Sequence, residues 1–274
     1  MNAADLVTIG NVKDWLSSGA QVANPTGTFP TGSDQLLGRL VTATSRMVVS
    51  YLQRNIQPAN YVETYNGDDT REIMLRNSPV LSVSSLVIGT TAVTARTQVG
   101  SYGYAFDSTS LYLSHTGFWR GVQNVAVSYR AGYQASDTTA VPATGPLTVS
   151  QLSRPWNSDQ GITYASTGIA FTPVTVAPTV AGTYQISTDT AGSAQYLFDS
   201  ADANTAIVVT YGYTPEDIAQ AVIEIVGERF LARSRIGETS KNIGHGQTVA
   251  LSREAMNSAV KLMLQPYRQI VPIQ

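Results

Sequence analysis

The sequence predicts an α+β protein: a helical bundle of about four helices, a β-hairpin/sheet region and an inserted small β-rich domain. Three observations predict it. Apolar residues recur at helical spacing in four segments, at about 8–16, 33–54, 214–236 and 252–265. Strand-like runs punctuated by Gly, Asn and Pro fill residues 61–133. From Gln134 to about Ala206 the composition changes: Thr, Ala, Val, Ser, Gly and Pro dominate, and as far as Tyr196 the only charges are Asp137, Arg154, Asp159 and Asp189. The expected division is 1–133 with 214–274 as one unit and 134–213 as a second.

The chain has 274 residues, of which 43% are hydrophobic, enough for a substantial core. Charged residues make up only 13%, about half the usual share of roughly 25%. The net charge of −2 argues against tight nucleic-acid binding, which needs a basic footprint. It leaves room for DNA to pass without specific contact. There are no cysteines, hence no disulfides and no thiolate metal sites. Met1 to Thr8 carry neither a basic start nor an apolar run, so no secretory leader is expected. No stretch is long and apolar enough to span a membrane as a helix.

The first helix runs from Thr8 to Leu16, with Thr8 as its cap and Ile9, Val12, Trp15 and Leu16 apolar. Ser17 to Gly32 reads as a loop. Ser33 caps a long second helix, with Leu36, Leu37, Leu40, Val41, Met47, Val48, Tyr51 and Leu52 on its apolar side, and Pro58 bars continuation. Tyr61–Tyr65 and Arg71–Leu75 flank Asn66-Gly67-Asp68-Asp69, a hairpin signal. Further strands are expected at Val80–Ile88, Ala92–Val99, Tyr104–Asp107, Leu111–Leu113 and Asn124–Arg130. The last places Val125, Val127 and Tyr129 on one face.

Within 134–213, short β-prone runs such as Gly168–Phe171 and Val174–Val176 lie between prolines. They read as a small β-rich lobe, with a linker or disordered stretch as the alternative. An internal echo frames the lobe. Tyr104-Ala-Phe-Asp-Ser is matched by Tyr196-Leu-Phe-Asp-Ser, and Asn124-Val-Ala-Val-Ser-Tyr by Ala206-Ile-Val-Val-Thr-Tyr. Local convergence on one hairpin type would also produce it.

The best-marked element is Thr214 to Gly237. Thr214 reads as N-cap, Pro215 as the first helical residue, and Asp217 as the side chain reaching back to the cap. Glu216 and Asp217 suit the positive helix end, Arg229, Arg233 and Arg235 the negative end, and Gly237 a left-handed stop. Ile218, Val222, Ile225, Val226 and Phe230 form its apolar stripe. Glu238–Thr248 reads as a polar loop and Val249–Leu251 as a short strand. Ser252 caps a final helix carrying Met256, Val260, Met263, Leu264 and Tyr267, which Pro266 ends or kinks.

No catalytic or metal constellation emerges, and no cofactor is expected. His115 and His245 stand outside any ligand spacing and read as ordinary surface or loop residues. Gly237 to Gly246 lacks the Gly-Lys-Ser/Thr ending of a phosphate loop and follows a helix rather than preceding one. Asp68-Asp69 reads as a solvated turn. Arg229, Arg233 and Arg235 suit an acidic partner as well as they suit helix-end compensation. Trp119 reads as a core residue or as an exposed contact aromatic.

The order of several motifs carries a resemblance. A short helix contains Val12-Lys13-Asp14-Trp15-Leu16, and a long one ends Ser50-Tyr51-Leu52-Gln53-Arg54. Leu75-Arg76-Asn77-Ser78-Pro79-Val80-Leu81-Ser82-Val83 follows. Phe118-Trp119-Arg120-Gly121 then leads into Asn124 to Arg130 and Ala131-Gly132-Tyr133, and Pro215-Glu216-Asp217-Ile218-Ala219-Gln220-Ala221-Val222 closes the series. Over most of 5–133 and 214–268 the chain resembles the head–tail connector (adaptor) proteins of long-tailed bacteriophages. In that family the Ala-Gly-Tyr strand leads almost directly into Pro-x-Asp-Ile. Here Gln134 to Tyr213 intervene, and Ala206–Tyr211 re-creates the junction.

The resemblance implies a non-enzymatic virion protein of the neck, assembled in the host cytoplasm. It implies a homo-oligomeric ring, typically of twelve copies, between the portal protein and the next neck, stopper or tail protein. The ring extends the DNA channel and needs no membrane. By position, the portal-facing residues would be Gln265, Tyr267, Arg268, Ile270, Val271 and Ile273, with Arg229, Arg233 and Arg235 as further contacts. A second reading is a β-rich surface-binding or capsid decoration module whose working part is 134–213.

Overall fold

The third helix is the hub of the helical region. In the computed structural model, which describes residues 5–18, 32–189, 193–233, 240–244, 247–250 and 256–269, the helices are α1 (Ile9–Ser18), α2 (Ser33–Leu52), α3 (Glu216–Ala232) and α4 (Ser258–Leu264). α1, α2 and α4 all pack against α3. The stripe residues Ile218, Val222, Ile225, Val226 and Phe230 are buried, and so are Ala219, Ala221, Ile223 and Gly227. That set covers most of the helix circumference, so α3 is enclosed rather than one-sided. Gly227 is required for this closeness: a Cβ there would lie 2.5 Å from the Trp15 ring. Leu37, Val41, Val48 and Leu52 of α2 and Val260 and Leu264 of α4 complete the core. Each such side chain contributes roughly 1.5–3 kcal/mol by burial.

The helix ends differ in part from expectation. Thr8 does cap α1, accepting from the Asn11 amide at 3.1 Å. Ser33 is the first residue of α2, behind Gly32 with φ 113°. α3 starts one residue later than expected, on the Pro215 carbonyl, which accepts from the Ala219 amide. Thr214 is fully buried and its hydroxyl accepts from Asn157, so it has no role as cap. Asp217 accepts from Tyr267 at 2.9 Å instead of reaching back. α4 is shorter than expected and is capped by Asn257, whose side chain accepts from the Val260 amide. Gly237 and Ser252 lie outside the described residues.

Between α2 and α3 run fourteen labelled strands: β1 (Ala59–Gly67), β2 (Glu72–Met74), β3 (Val80–Ile88), β4 (Thr91–Val93), β5 (Gly103–Phe106), β6 (Ser110–Ser114), β7 (Gly121–Ala131), β8 (Gln134–Ala140), β9 (Leu147–Thr148), β10 (Trp156–Tyr164), β11 (Thr172–Pro173), β12 (Thr183–Thr188), β13 (Ala194–Phe198) and β14 (Ala206–Tyr213). After α3 come β15 (Ser240–Gly244) and β16 (Gln247–Ala250). They pair antiparallel, so the segment expected as a loop is a backbone hairpin.

The sheet orders are β1-β7-β3-β4, β2-β6-β5, β10-β14-β8 and β11-β12-β13-β9. All pairs are antiparallel except β11 with β12. β7 is central in its sheet, and Val125, Val127 and Tyr129 point into the core as expected. The expected hairpin of Tyr61–Tyr65 with Arg71–Leu75 does not form: β1 pairs with β7, and β2 with β6. The turn residues are held by a distant loop. The Asp69 amide donates to the Phe118 carbonyl at 2.8 Å, and a Cβ on Gly67 would collide with the Trp119 carbonyl. Extended structure between residues 92 and 99 stops at Val93 apart from a bridge at Ala95.

The described residues of 134–213 carry β8–β14 and an apolar cluster that includes Ile162, Phe171, Tyr184, Tyr196, Ile207, Val209 and Tyr211. Half of the internal echo is misplaced. Tyr104 stands on β5 and Tyr196 on β13, strands with different partners, whereas Asn124–Tyr129 and Ala206–Tyr211 both occupy central strands.

Candidate functional site

The residues expected to meet a partner fall into two groups at opposite ends of α3. Gln265, Tyr267 and Arg268 follow α4, in and just after a 3-10 turn at Gln265–Tyr267, near the start of α3. Arg229 and Arg233 sit at its far end. α3 has 17 residues, which at about 1.5 Å per residue separates the groups by roughly 25 Å. Ile270, Val271, Ile273 and Arg235 lie outside the described residues.

At the far end, Arg229 reaches the Met47 sulfur at 3.0 Å, and the Arg233 guanidinium lies over its own helix's Phe230 ring at 3.7 Å. Arg233 is exposed. At the near end the chain folds back onto itself. The Tyr267 hydroxyl donates to Asp217, and its ring meets Tyr133 edge-on at 6.2 Å. Burial, reinforced by the Asp217 carboxylate, pushes the Tyr267 phenol up to about 12. Arg268 lies over the Tyr51 ring at 5.7 Å. The Gln269 amide donates to the Leu52 carbonyl, and its side chain donates to the Arg76 carbonyl.

This fold-back forms one wall of a cleft of about 300 Å³, lined among others by Arg54, Arg76, Ser108, Tyr133, Arg268 and Gln269. Arg54 sits just beyond α2, where Gln53 turns left-handed with φ 57°. It donates to the Ser78 carbonyl and hydroxyl and to the Tyr133 hydroxyl. Its Nε is buried without a partner. Arg76 lies over the Tyr65 ring at 5.0 Å. Three arginine residues from separate segments therefore line one cleft, with no Asp or Glu among its described lining residues. Sequence reasoning found Arg268 by its position but missed Arg54 and Arg76. Each stands in a quoted motif, at the end of the long helix and before Asn77-Ser78-Pro79, but only the fold brings them to one place.

The other screened residues have local roles. His115 has φ 70° and its Nε2 lies 2.7 Å from the Gly100 carbonyl; His245 lies outside the described residues. Asp68 accepts from the Thr70 hydroxyl and amide, bonds that hold its carboxyl below the usual range. Asp69 accepts from the Arg120 amide. Trp119 is 45% exposed while Phe118 beside it is fully buried, so Phe118 fills the core position. No group of three potential metal ligands occurs among the described residues.

Comparison with known proteins finds likeness both to solved structures and to a family model. The chain aligns with a chain from the neck of an empty GTA particle computed with C6 symmetry, at 11% identity, covering 98% of this chain and 92% of that one, with a TM-score of 0.39. No curated protein sequence matches. The family model of the head completion proteins matches residues 6–149, which include α1, α2 and all of β1–β7. That is more than half of the 274 residues, and the chain belongs to the head completion protein family.

Proposed function

We propose that the protein is a subunit of a closed homo-oligomeric ring between portal and tail, twelve copies in number, which extends the DNA channel and offers a docking surface to the next neck component. As a head completion protein it is a structural component of the virion at the head–tail interface. The family match over 6–149 is the observation that carries the reading, because it covers two helices of the shared core and the first β region. Residues 1–133 and 214–274 act as the connector body. Residues 134–213 are a β-rich lobe that projects outward or toward the tail, leaving the lumen open. Closure requires two different patches that meet head to tail around the ring. The protein has no catalytic role, and DNA passes without sequence-specific contact, consistent with a net charge of −2.

The portal-facing surface in this reading is the near end of α3. The cleft lined by Arg54, Arg76 and Arg268 fits an acidic segment of the partner, with the exposed Arg268 as the group free to bind a carboxylate. Mixing the protein with its portal and imaging by electron microscopy tests the proposal. It expects rings seated on the portal, and persistent monomers with no portal binding would reject it. Arg268→Glu, at an exposed position, should weaken seating by about tenfold or more while leaving the circular dichroism spectrum unchanged.

A further inference from the structure

We infer that residues 59–131 and 133–213 are two copies of one seven-stranded module joined in tandem, so that the β lobe is a repeat of the body's own β region. The strands correspond in order, β1 to β8, β2 to β9, and so on to β7 and β14. Four of the five strand pairings in the first copy recur as strand pairings in the second, and the fifth, β3 with β4, recurs as a single bridge. β1 and β3 flank β7 as β8 and β10 flank β14. β2 and β5 flank β6 as β9 and β12 flank β13. The rarer contacts repeat as well. A parallel bridge joins Ala95 to Tyr104, and β11 pairs parallel with β12 at Pro173 and Tyr184. An antiparallel link of Val87 with Ala92 is matched by Thr163 with Ala170.

The register repeats residue by residue. Glu63 faces Val127 and Leu86 faces Val127 from the other side; Asp137 and Ile162 face Val209 in the same way. β3 carries two irregularities against β7, one between Val80 and Ser82 and one between Val83 and Ser85. β10 carries two against β14, between Trp156 and Ser158 and between Asp159 and Ile162. A bulge adds a residue to one strand of a pair, so two at matching places do not follow from a general preference for β structure. Val127 and Val209 are both fully buried, as are Leu111 and Tyr196.

One polar device repeats with the frame. The Tyr129 hydroxyl donates to Glu63 and accepts from the Asn77 amide, at 2.8 and 3.1 Å. The Tyr211 hydroxyl donates to Asp137 and accepts from the Arg154 amide, at 2.7 and 3.1 Å. Just beyond, Gly132 donates to the Pro79 carbonyl and Thr214 to the Pro155 carbonyl. The tips have diverged. The first copy enters its central strand from Trp119 and Val122, the latter 85% exposed, and the second from a 3-10 turn whose Asp202 is buried and accepts from Tyr164 and Gly182. One framework thus carries two different tip surfaces.

The cysteine-free chain allows a direct test by disulfide trapping in the full-length protein. Thr64 faces Ala126 in the first copy, and the equivalent pair in the second is Thr138 with Val208. Facing residues of an antiparallel pair lie within disulfide reach, and residues offset by two do not. T64C/A126C and T138C/V208C should each form about tenfold more intramolecular disulfide than T64C/S128C and T138C/T210C, read by peptide mass after mild oxidation. V87C/A126C and T163C/V208C should cross-link likewise on the other flank. Reduced variants should keep the parent circular dichroism spectrum. Closure of an offset pair, or failure of either equivalent pair to close, overturns the duplication.

Discussion

The helical core and the two β cores bury their side chains by different chemistry. The helical core is almost wholly aliphatic, with Ile218, Val222, Val226, Leu37 and Val48 at its centre. The β cores bury tyrosines and must satisfy their hydroxyls. Glu63 accepts from both Tyr65 and Tyr129. Asp159 accepts from Tyr184 and Tyr196, and the Tyr196 hydroxyl also accepts from the Trp156 ring N–H at 2.8 Å. An aliphatic core is sensitive to volume and responds to pH only at its edge, where Tyr267 donates to Asp217. A core of tyrosines on carboxylates is sensitive to both.

The largest expected effect falls on the helical side. Ile218→Ala removes a fully buried side chain from the start of α3 and should cost about 2–5 kcal/mol. Thermal denaturation followed by helix ellipticity checks it, and a loss below about 1 kcal/mol would mean that the site collapses far more completely than cores usually do.

On the β side, Tyr196→Phe keeps the ring and removes the hydroxyl between Trp156 and Asp159. A buried donor and acceptor left unpaired cost about 1–3 kcal/mol, so the variant should unfold earlier in urea. A neutral result would show that these hydroxyls do not support the lobe.

Alkaline pH sharpens the contrast without any substitution. Burial, reinforced by Glu63, pushes the Tyr129 phenol from its ordinary 10.0 up to about 12, and burial raises Tyr65, Tyr184 and Tyr196 as well. A raised folded value adds stability that is complete below the unfolded value and is lost as pH climbs through the folded one. Stability should therefore fall between about pH 10 and 12. Near-ultraviolet tyrosine signals should change in that window in the intact protein and change less in Tyr129→Phe.

The smallest effect is at the surface. Asp107 accepts from the Thr109 and Ser110 amides, which hold its carboxyl down at about 2. A lowered folded value adds stability above the unfolded value and loses it as pH falls through the folded one, here from about 4 to 2. Because the group is exposed, Asp107→Asn should cost under about 1 kcal/mol, measurable as a small shift in urea midpoint at neutral pH and none at pH 2.

How much was legible follows the same divide. Helix existence rests on local periodicity, so α2 and α3 were readable from their stripes and β3 from its bounds at Val80 and Ile88. Strand pairing rests on distant contacts. Asn66 to Asp69 has every local mark of a hairpin, yet Asp69 and Gly67 are fixed by Phe118 and Trp119, far along the chain. The repeat was half visible because Val127 and Tyr129 recur as Val209 and Tyr211. It stayed half hidden because Glu63 and Leu86 recur as Asp137 and Ile162, different residue types whose equivalence shows only in the sheet register and in the tyrosine hydroxyls that Glu63 and Asp137 accept. Of the candidate site, Tyr267 and Arg268 were found by position. Arg54 and Arg76 were not, since no spacing in the sequence announces a cleft closed by three separate segments.

Cryo-electron microscopy of the assembled neck tests directly whether the protein is a ring subunit around an open channel. A closed ring on the portal is expected, with α4 and the arginine cleft facing it and residues 134–213 outside the lumen. Density for residues 134–213 filling the lumen, or a neck that assembles without this chain, would contradict it.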